Sequence, residues 1–289
     1  MWERHTSKTL MRIIFASLIL LLGAGSAVAQ QRPLITEDPE TIGAGRVLVE
    51  GGVEYDDDAV YPVSGLRGNL WRFPLIGVSI GISSIAEIQI DQASFSRLSI
   101  TSRSRAPLSD LVTATGSSTT DADDLIIGTK IRIAGETSSR PAFGFRFATK
   151  LPNAGNESGL GLDTTDFFAT VIAGKTTQSV RIVGNVGLGI LGDPTNGNRQ
   201  NDVLLYGVSF ARAITNAAEV VGEVNGRANT RGGGPLPGTE SRSVVRMGLR
   251  YTYGGLRGDA AVLLGATNND PGVGVTAGVT YVFSAFQVP

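Results

Sequence analysis

The chain has 289 residues, a formal net charge of −1, no cysteine and one histidine. Without cysteine there are no disulfides and no thiolate chemistry, and the near-zero charge provides no basic field for nucleic acid. Because His5 lies in a segment that we expect to be removed, the mature chain lacks the histidine of a Ser-His pair or of a zinc site. We therefore predict a protein without enzymatic activity, cofactor or metal.

The first 29 residues have the pattern of an export signal. They combine a basic front, an apolar run and a small-x-small cleavage motif before Gln30: Arg4, Lys8 and Arg12, then 13–22, then Ala27 and Ala29. Met11 is an alternative start that would open a shorter signal. A membrane-anchoring helix is the less favoured interpretation, because the apolar run is shorter than the roughly 20 residues that a helical span needs.

From residue 43 onward, apolar side chains recur at every second position, which is the period of a β-strand. In the segment 141–151, for example, Phe143 and Phe147 share one face, while Arg146 and Lys150 share the other. Such segments are long for soluble strands and suit tilted strands that cross a bilayer of about 30 Å. We predict twelve of them: 43–55, 69–80, 85–98, 125–135, 141–151, 164–175, 178–191, 202–213, 217–227, 242–253, 256–266 and 273–284.

The predicted connections alternate in length along the chain. The longer or more polar set is 56–68, 99–124, 152–163, 192–201, 228–241 and 267–272, and the tight set is 81–84, 136–140, 176–177, 214–216 and 254–255. Outer-membrane barrels have long loops outside and short turns in the periplasm. An even number of strands then places both termini in the periplasm, with 30–42 as a periplasmic segment and 43–289 as the barrel.

The alternation also predicts which face of each strand points inward. In lipid a closed barrel is the β-structure that leaves no unpaired edge, so its outer face is apolar and its inner face polar or small. A soluble sandwich with this face in water is the alternative. The charged residues expected to line the lumen are Glu50, Glu54, Glu87, Asp91, Lys130, Arg132, Arg146, Lys150, Glu219, Glu223, Arg246 and Arg250.

These inward charges are open to two interpretations. Rings of charge in a pore tune its selectivity for solutes. Alternatively, Glu87, Gln89 and Asp91 could pair with Lys130 and Arg132, and Glu219 and Glu223 with Arg246 and Arg250. Such pairs would fill and stabilise the barrel.

Two acidic clusters lie in predicted loops, at 56–58 and at 121–124. Carboxylates of this kind can hold divalent cations among lipopolysaccharide headgroups. Solvated loop charge is the favoured interpretation, and no metal site is predicted.

Four stretches resemble the outer-membrane barrel family named for the MetA pathway of phenol degradation. They are 35–40 leading into 45–55 (ITEDPE, GRVLVEGGVEY), 124–132 (DLIIGTKIR), 150–166 (KLP followed by GLGLDTTD) and 218–226 (AEVVGEVNG). The resemblance implies a barrel of about twelve strands that passes small compounds, many of them aromatic or apolar. Two features depart from the family pattern. One is Pro39 in the first stretch. The other is the ending Phe286-Gln287-Val288-Pro289 in place of a terminal aromatic residue, so that Tyr281-Val282-Phe283 would serve as the signal to the barrel assembly machinery.

The leading functional hypothesis is passive passage of small organic solutes through an outer-membrane channel. The alternative is a structural or adhesive barrel, plugged inside, whose long loops 99–124 and 228–241 bind outside partners. An outer-membrane enzyme with chemistry from Asp and Ser alone is the third. The expected surroundings are outer-membrane lipid and lipopolysaccharide.

Overall fold

A computed structural model describes residues 32–287, and in it twelve antiparallel strands close into one barrel. Two of them are interrupted, so that each consists of two segments. The strands are β1 Arg46–Tyr61, β2 Leu66–Gly81, β3 Ala86–Ala93 and Phe95–Arg103, β4 Ser118–Ala122 and Ile126–Ala134, β5 Ala142–Lys150, β6 Asp166–Thr177, β7 Val180–Gly192, β8 Gln200–Ala213, β9 Ala218–Asn229, β10 Arg242–Tyr253, β11 Leu256–Gly265 and β12 Val273–Ser284. The predicted all-β barrel fold is confirmed.

Each strand pairs with its neighbour in sequence, and the last pairs with the first. The closing ladder between β1 and β12 runs from Arg46 opposite Ser284 to Asp57 opposite Val273. Both segments of β3 pair with β2 on one side, and they pair with the two segments of β4 on the other. Closure leaves no edge, which is the condition for a sheet in lipid.

The strands extend further than the sequence pattern suggested, so the first connection is wrong in the prediction. Residues 56–68 do not form a polar loop; β1 continues to Tyr61, β2 begins at Leu66, and a short turn joins them. Asp56 is buried and pairs with Arg72 across the two strands, with Nη1 and Oδ2 2.7 Å apart. A polar run in a barrel strand is compatible with an inward face, and this is why its polarity misled the assignment.

The other connections differ in length between the two ends of the barrel. One end, here the long-loop end, carries 104–117, 151–165, 193–199, 230–241 and 266–272, together with the turn 62–65. The other, the short-turn end, carries 82–85, 135–141, 178–179, 214–217 and 254–255. Two 3-10 helices, Ser109–Leu111 and Asn156–Ser158, lie in the loops. No helix in residues 32–287 is long and apolar enough to cross a membrane.

The outer surface is apolar on every strand. Large apolar side chains that are exposed to the surroundings include Val49, Trp71, Ile88, Ile131, Phe147, Val171, Val186, Val208, Val224, Leu249, Val262 and Val279. Between them, buried polar residues such as Glu87, Lys130 and Glu223 face inward. This is the inverse of a soluble protein and matches a surface that contacts lipid.

Val186 lies near the middle of β7 and tests this orientation, because its side chain is 61% exposed on the outer face. Val186→Arg is expected to lower the free energy of unfolding by about 2–4 kcal/mol, the penalty for arginine near a bilayer midplane. Unfolding by urea in lipid vesicles measures this. Val186→Leu is the matched control, and an equal stability of the two variants would contradict a lipid-facing position.

Candidate functional site

The structure brings all twelve charged residues singled out from the sequence to the inner face of the barrel. Three of the pairs considered above form: Glu87 with Lys130 at 3.0 Å, Glu223 with Arg246 at 3.0 Å, and Glu219 with Arg250 at 3.9 Å. The remaining six residues contact other partners. The lumen is therefore lined by ion pairs more than by free charges.

Some of these partners lie on other strands of the barrel wall. Glu54 pairs with Arg72 at 2.7 Å, and Asp91 pairs with Arg146 at 2.6 Å rather than with Arg132. Lys150 lies between Asp124 and Asp166, at 2.9 Å and 3.0 Å. The acidic residue Asp124 is thereby neutralised, and within residues 32–287 no group of three or more His, Cys, Asp or Glu side chains is arranged to hold a metal ion.

The remaining partners belong to residues 32–42, which lie inside the barrel and are called the plug segment here. Its backbone amides donate to carboxylates of the wall: Ile35 and Thr36 to Glu223, at 2.8–3.0 Å, and Ile42 to Glu87, at 2.7 Å. Glu37 and Asn185 exchange two hydrogen bonds, at 2.7 Å and 2.8 Å, much as two strands would. The segment thus crosses the lumen from wall to wall.

Glu37 is at the centre of this arrangement. Its carboxylate lies 3.3 Å from Nζ of Lys130 and 3.2 Å from Nε of Arg146, and it accepts a hydrogen bond from Gln89. Lys130 is fully buried and is shared between Glu37 and Glu87. A buried charge is stable only when it is paired and hydrogen-bonded, so the plug segment supplies part of what makes the inner wall stable.

The plug segment is also held at its two ends. Arg32 donates to Thr276 at 3.1 Å and pairs with Asp259 at 3.4 Å, while its backbone NH faces Glu50. Further along, Asp38 makes a two-pronged pair with Arg181, and Glu40 pairs with Arg132. Bidentate guanidinium–carboxylate pairs combine strength with a fixed geometry.

Arg181 extends the contact of the plug segment to the short-turn end, because it also pairs with Glu136 in the turn 135–141. Burial by itself raises the pKa of Glu136. The hydrogen bonds that Thr176 and Lys175 donate, together with the charge of Arg181, outweigh burial, so the net pKa of Glu136 lies below its usual value. Glu136 is thus ionised at neutral pH and fixes the arginine that holds Asp38.

Glycines on the inner face make room for the plug segment. A Cβ atom on Gly144 would come within 3.2 Å of Pro39, and one on Gly174 within 3.0 Å of it. On Gly207 a Cβ would lie 2.9 Å from Oγ1 of Thr36. Real Cβ atoms rarely come this close to a neighbour, so these positions need glycine for the close approach of another backbone.

At the long-loop end the loops fold over the lumen. Ser64 donates to the carbonyl of Gly159 at 2.7 Å, and the backbone NH of Thr113 to that of Glu157 at 2.9 Å, so the loops 151–165 and 104–117 are joined to each other and to the turn 62–65. Beneath them a buried apolar cluster forms on the inner face of β1 to β3: Ala59, Leu66, Leu70 and Leu98, with Tyr61, Ile100, Val112 and Leu160 against it.

A cavity of about 740 Å³ lies between the plug segment and these loops. Arg32 to Glu37 form its floor, and Ala154, Leu160 and Pro271 belong to the loops above it. Its wall contains apolar and charged residues that lie side by side on the same strands. The apolar ones include Tyr61, Leu70, Leu205, Val244 and Leu263, and the charged ones are Glu50, Glu54, Asp56, Arg72, Asp91, Asp123, Asp124, Arg146, Lys150, Arg227, Arg242, Arg246 and Asp270.

Several residues of this site are missed by sequence reasoning. The plug residues Glu37, Asp38 and Glu40 lie before the first strand, where no periodicity assigns a face. Asn185 offers a weak signal, since it is the one polar side chain among the apolar and glycine residues of 182–192. Arg72, Arg227 and Arg242 follow the inward period of their strands and could have been found from it.

The chain matches no protein-family model and no curated protein. A solved outer-membrane channel from Pseudomonas putida F1 has a TM-score of 0.58 and 12% sequence identity, covering 85% of this chain and 98% of the channel. The two share a fold.

Two further solved structures are similar at a lower level. The NanC porin has a TM-score of 0.48 and 10% identity, covering 84% of this chain and 100% of the porin. The translocator domain of the autotransporter NalP from Neisseria meningitidis has a TM-score of 0.45 and 12% identity, covering 96% of both chains.

Proposed function

We propose that this chain is an outer-membrane channel that passes small organic solutes, aromatic and apolar ones among them. The observation that carries the proposal is the lumenal cavity, whose volume of about 740 Å³ falls in the range of about 300–1,000 Å³ of small-molecule sites. The fold shared with the P. putida channel and the resemblance to the phenol-degradation barrel family support it.

The lining of the cavity favours solutes with an apolar body. Tyr61, Leu70 and Leu160 present apolar surface to the cavity, and the ion pair of Arg72 with Glu54 and Asp56 lies beside the first two on the same strands. Apolar side chains in a pocket bind the body of a small molecule, and the polar groups beside them orient it. The aromatic or apolar compounds implied by the family resemblance fit this wall.

The barrel is proposed to sit in the outer membrane with its apolar belt in lipid and its long loops among lipopolysaccharide. The start of β1 and the end of β12 lie together, since Arg46 pairs with Ser284. They lie at the short-turn end, because Val47 pairs with Ile80, next to the turn 82–85. Short turns are periplasmic in such barrels, so both termini are proposed to be periplasmic. Insertion would proceed through the barrel assembly machinery.

Passage through the lumen requires the plug segment to move. No covalent bond fixes residues 32–42 to the wall, and their contacts are hydrogen bonds and ion pairs. These contacts can exchange for contacts with water, since the polar wall residues remain satisfied once the lumen is hydrated. The plug segment is therefore proposed as a gate.

Liposome swelling and single-channel recordings on the refolded barrel test the proposal. We expect phenol-sized neutral solutes, such as benzyl alcohol and catechol, to enter vesicles faster with the protein than without it. Sucrose is expected to remain excluded. A barrel that passes no solute, even after the plug segment is deleted, would contradict a channel.

The alternative is a structural or adhesive barrel, and the filled lumen and the interlocked loops favour it. Replacing the loops 104–117 and 230–241 by short turns separates the two functions. An adhesive barrel would lose its binding to outside partners and leave solute passage unchanged. A channel would retain or increase passage, because the loops close its outer end.

A further inference from the structure

Two arginines face each other in the wall of the cavity. Arg227 on β9 and Arg242 on β10 are directly opposite in the antiparallel ladder, and both line the cavity. Opposite positions place the Cβ atoms about 4.5–5.5 Å apart, and like charges there destabilise the pair. Two adjacent cations in a partly buried wall therefore need a compensating anion.

The other cations of the cavity have such a compensation within the protein. Each of them has a carboxylate within 4.0 Å: Arg32 with Asp259, Arg72 with Glu54, Arg146 with Asp91, Lys150 with Asp124 and Arg246 with Glu223. In the part of the chain that the structure describes, Arg227 and Arg242 form no ion pair of this kind. Of the cations that line the cavity, these two are the ones without a carboxylate in direct contact.

The contacts that these two arginines do make are with neutral carbonyls. Arg227 donates to the carbonyls of Glu240 at 2.9 Å and of Gly238 at 2.8 Å, and Arg242 donates to that of Val60 at 3.3 Å. The Nε atom of Arg242 is buried without a hydrogen-bond partner. A guanidinium has five N–H donors, and an unmade bond of a buried charged donor is costly.

The carboxylates near Arg227 are those of Glu240, Asp166 and Asp270. Oε1 of Glu240 accepts a hydrogen bond from the backbone NH of Gly238 at 3.0 Å, and its Oε2 is buried without a hydrogen-bond partner. Among the described residues, none of the three carboxylates lies within ion-pair distance of either arginine. Apolar side chains lie next to the arginines in the same cavity, among them Val244, two residues from Arg242, and Tyr61, which follows Val60. The site therefore combines a double cation with an apolar wall.

We propose that Arg227 and Arg242 form a binding subsite for the anionic group of a small aromatic or apolar organic acid, a carboxylate or a sulfonate. A planar anion accepts parallel hydrogen bonds from guanidinium groups. Its apolar body then lies against the apolar wall of the cavity. Passage of such an acid through the barrel rests on the proposed channel function, whereas its binding does not.

Calorimetric titration of the refolded full barrel in detergent tests the subsite. The probe is benzenesulfonate, which stays ionised, and benzenesulfonamide is its neutral counterpart. Arg242→Gln is expected to weaken binding of benzenesulfonate about tenfold or more, the loss of a charge-assisted hydrogen bond, and to leave binding of the sulfonamide unchanged. Arg242→Lys, which keeps the charge, is expected to retain part of the affinity.

The matched control is Arg231→Gln, because Arg231 is an exposed arginine of the adjacent loop that does not line the cavity. A difference in electrophoretic mobility between heated and unheated samples verifies that each variant is folded. Equal binding of benzenesulfonate to the wild-type barrel, Arg242→Gln and Arg231→Gln would overturn the subsite, as would no binding to the wild type. Tighter binding of methanesulfonate than of benzenesulfonate would also overturn it, since the apolar wall would then have no role.

Permeation is measured in a separate experiment, so that failure of the channel function can be distinguished from failure of the subsite. If benzenesulfonate binds through Arg242 but no solute passes the membrane, the channel is wrong and the subsite remains. If neutral solutes pass while Arg242→Gln binds benzenesulfonate like the wild type, the subsite is wrong and the channel remains.

Discussion

Deletion of residues 32–42 is expected to convert a barrel of low conductance into an open pore. The segment crosses the lumen and contacts strands around the whole wall, through Glu223, Asn185, Glu87 and Asp259 among others. A barrel of twelve strands is wider than the eight-strand case that its own side chains fill. Without the segment, water takes its place, and single-channel conductance rises several-fold.

The barrel itself is expected to survive this deletion, because the closing ladder from Arg46 to Asp57 does not include the plug segment. Single-channel recording in planar bilayers measures the effect. Ile35→Ala is the control within the segment, since that side chain is half exposed and the contacts of residue 35 with Glu223 come from its backbone. Equal conductance of the deletion variant and the wild type would show that another part of the chain closes the lumen.

A single substitution in the wall is expected to act in the same direction. Gly207→Val introduces a Cβ 2.9 Å from Thr36, so that the plug segment must shift by some tenths of an ångström or leave. We expect more frequent opening events in single-channel recordings. Gly184→Val is the control, because a Cβ there meets nothing within 4 Å. Matching open probabilities for the two variants would contradict a plug seated on glycines.

The barrel could be predicted from the sequence because one physical constraint acts on every strand. Lipid outside and a polar lumen inside force the alternation that Phe143, Arg146 and Phe147 display. The same constraint explains the error at 56–58. A polar run was taken for a loop, although Asp56 is an inward strand residue held by Arg72. The residues at which strands end near the loops depend on ion pairs of this kind, and the periodicity of the sequence does not reveal such pairs.

The plug segment could not be predicted because its contacts are distant in sequence. Asp38 pairs with Arg181, and the backbone of Glu37 pairs with Asn185, across about half of the chain. The acidic character of 37–40 is visible in the sequence, but its partners are set by the closure of the barrel. The sequence also identified Glu223 and Arg246 as a pair without revealing that Glu223 binds the backbone of residues 35 and 36.

Lys130 provides the largest expected effect on stability. Its side chain is fully buried, with the carboxylates of Glu87 and Glu37 at 3.0 Å and 3.3 Å. Lys130→Met removes the cation and leaves two carboxylates facing each other in a site without free access to water. The free energy of unfolding is expected to fall by about 3–5 kcal/mol, the typical effect of breaking a buried pair from one side. Urea unfolding in lipid vesicles, followed by the fluorescence of Trp71 on the outer face, measures it.

The matched control is Lys175→Met, which breaks a pair with Glu136 at 3.3 Å whose lysine side chain is one-third exposed. An exposed pair contributes about 0–1 kcal/mol, so a small loss is expected there. The double variant Lys130→Met, Glu87→Gln is expected to recover part of the stability. A neutral glutamine removes one uncompensated charge and still accepts the hydrogen bond from the NH of Ile42, which Glu87 holds at 2.7 Å. If the double variant were less stable than Lys130→Met alone, the loss would come from packing around the lysine stem rather than from the uncompensated charge of Glu87.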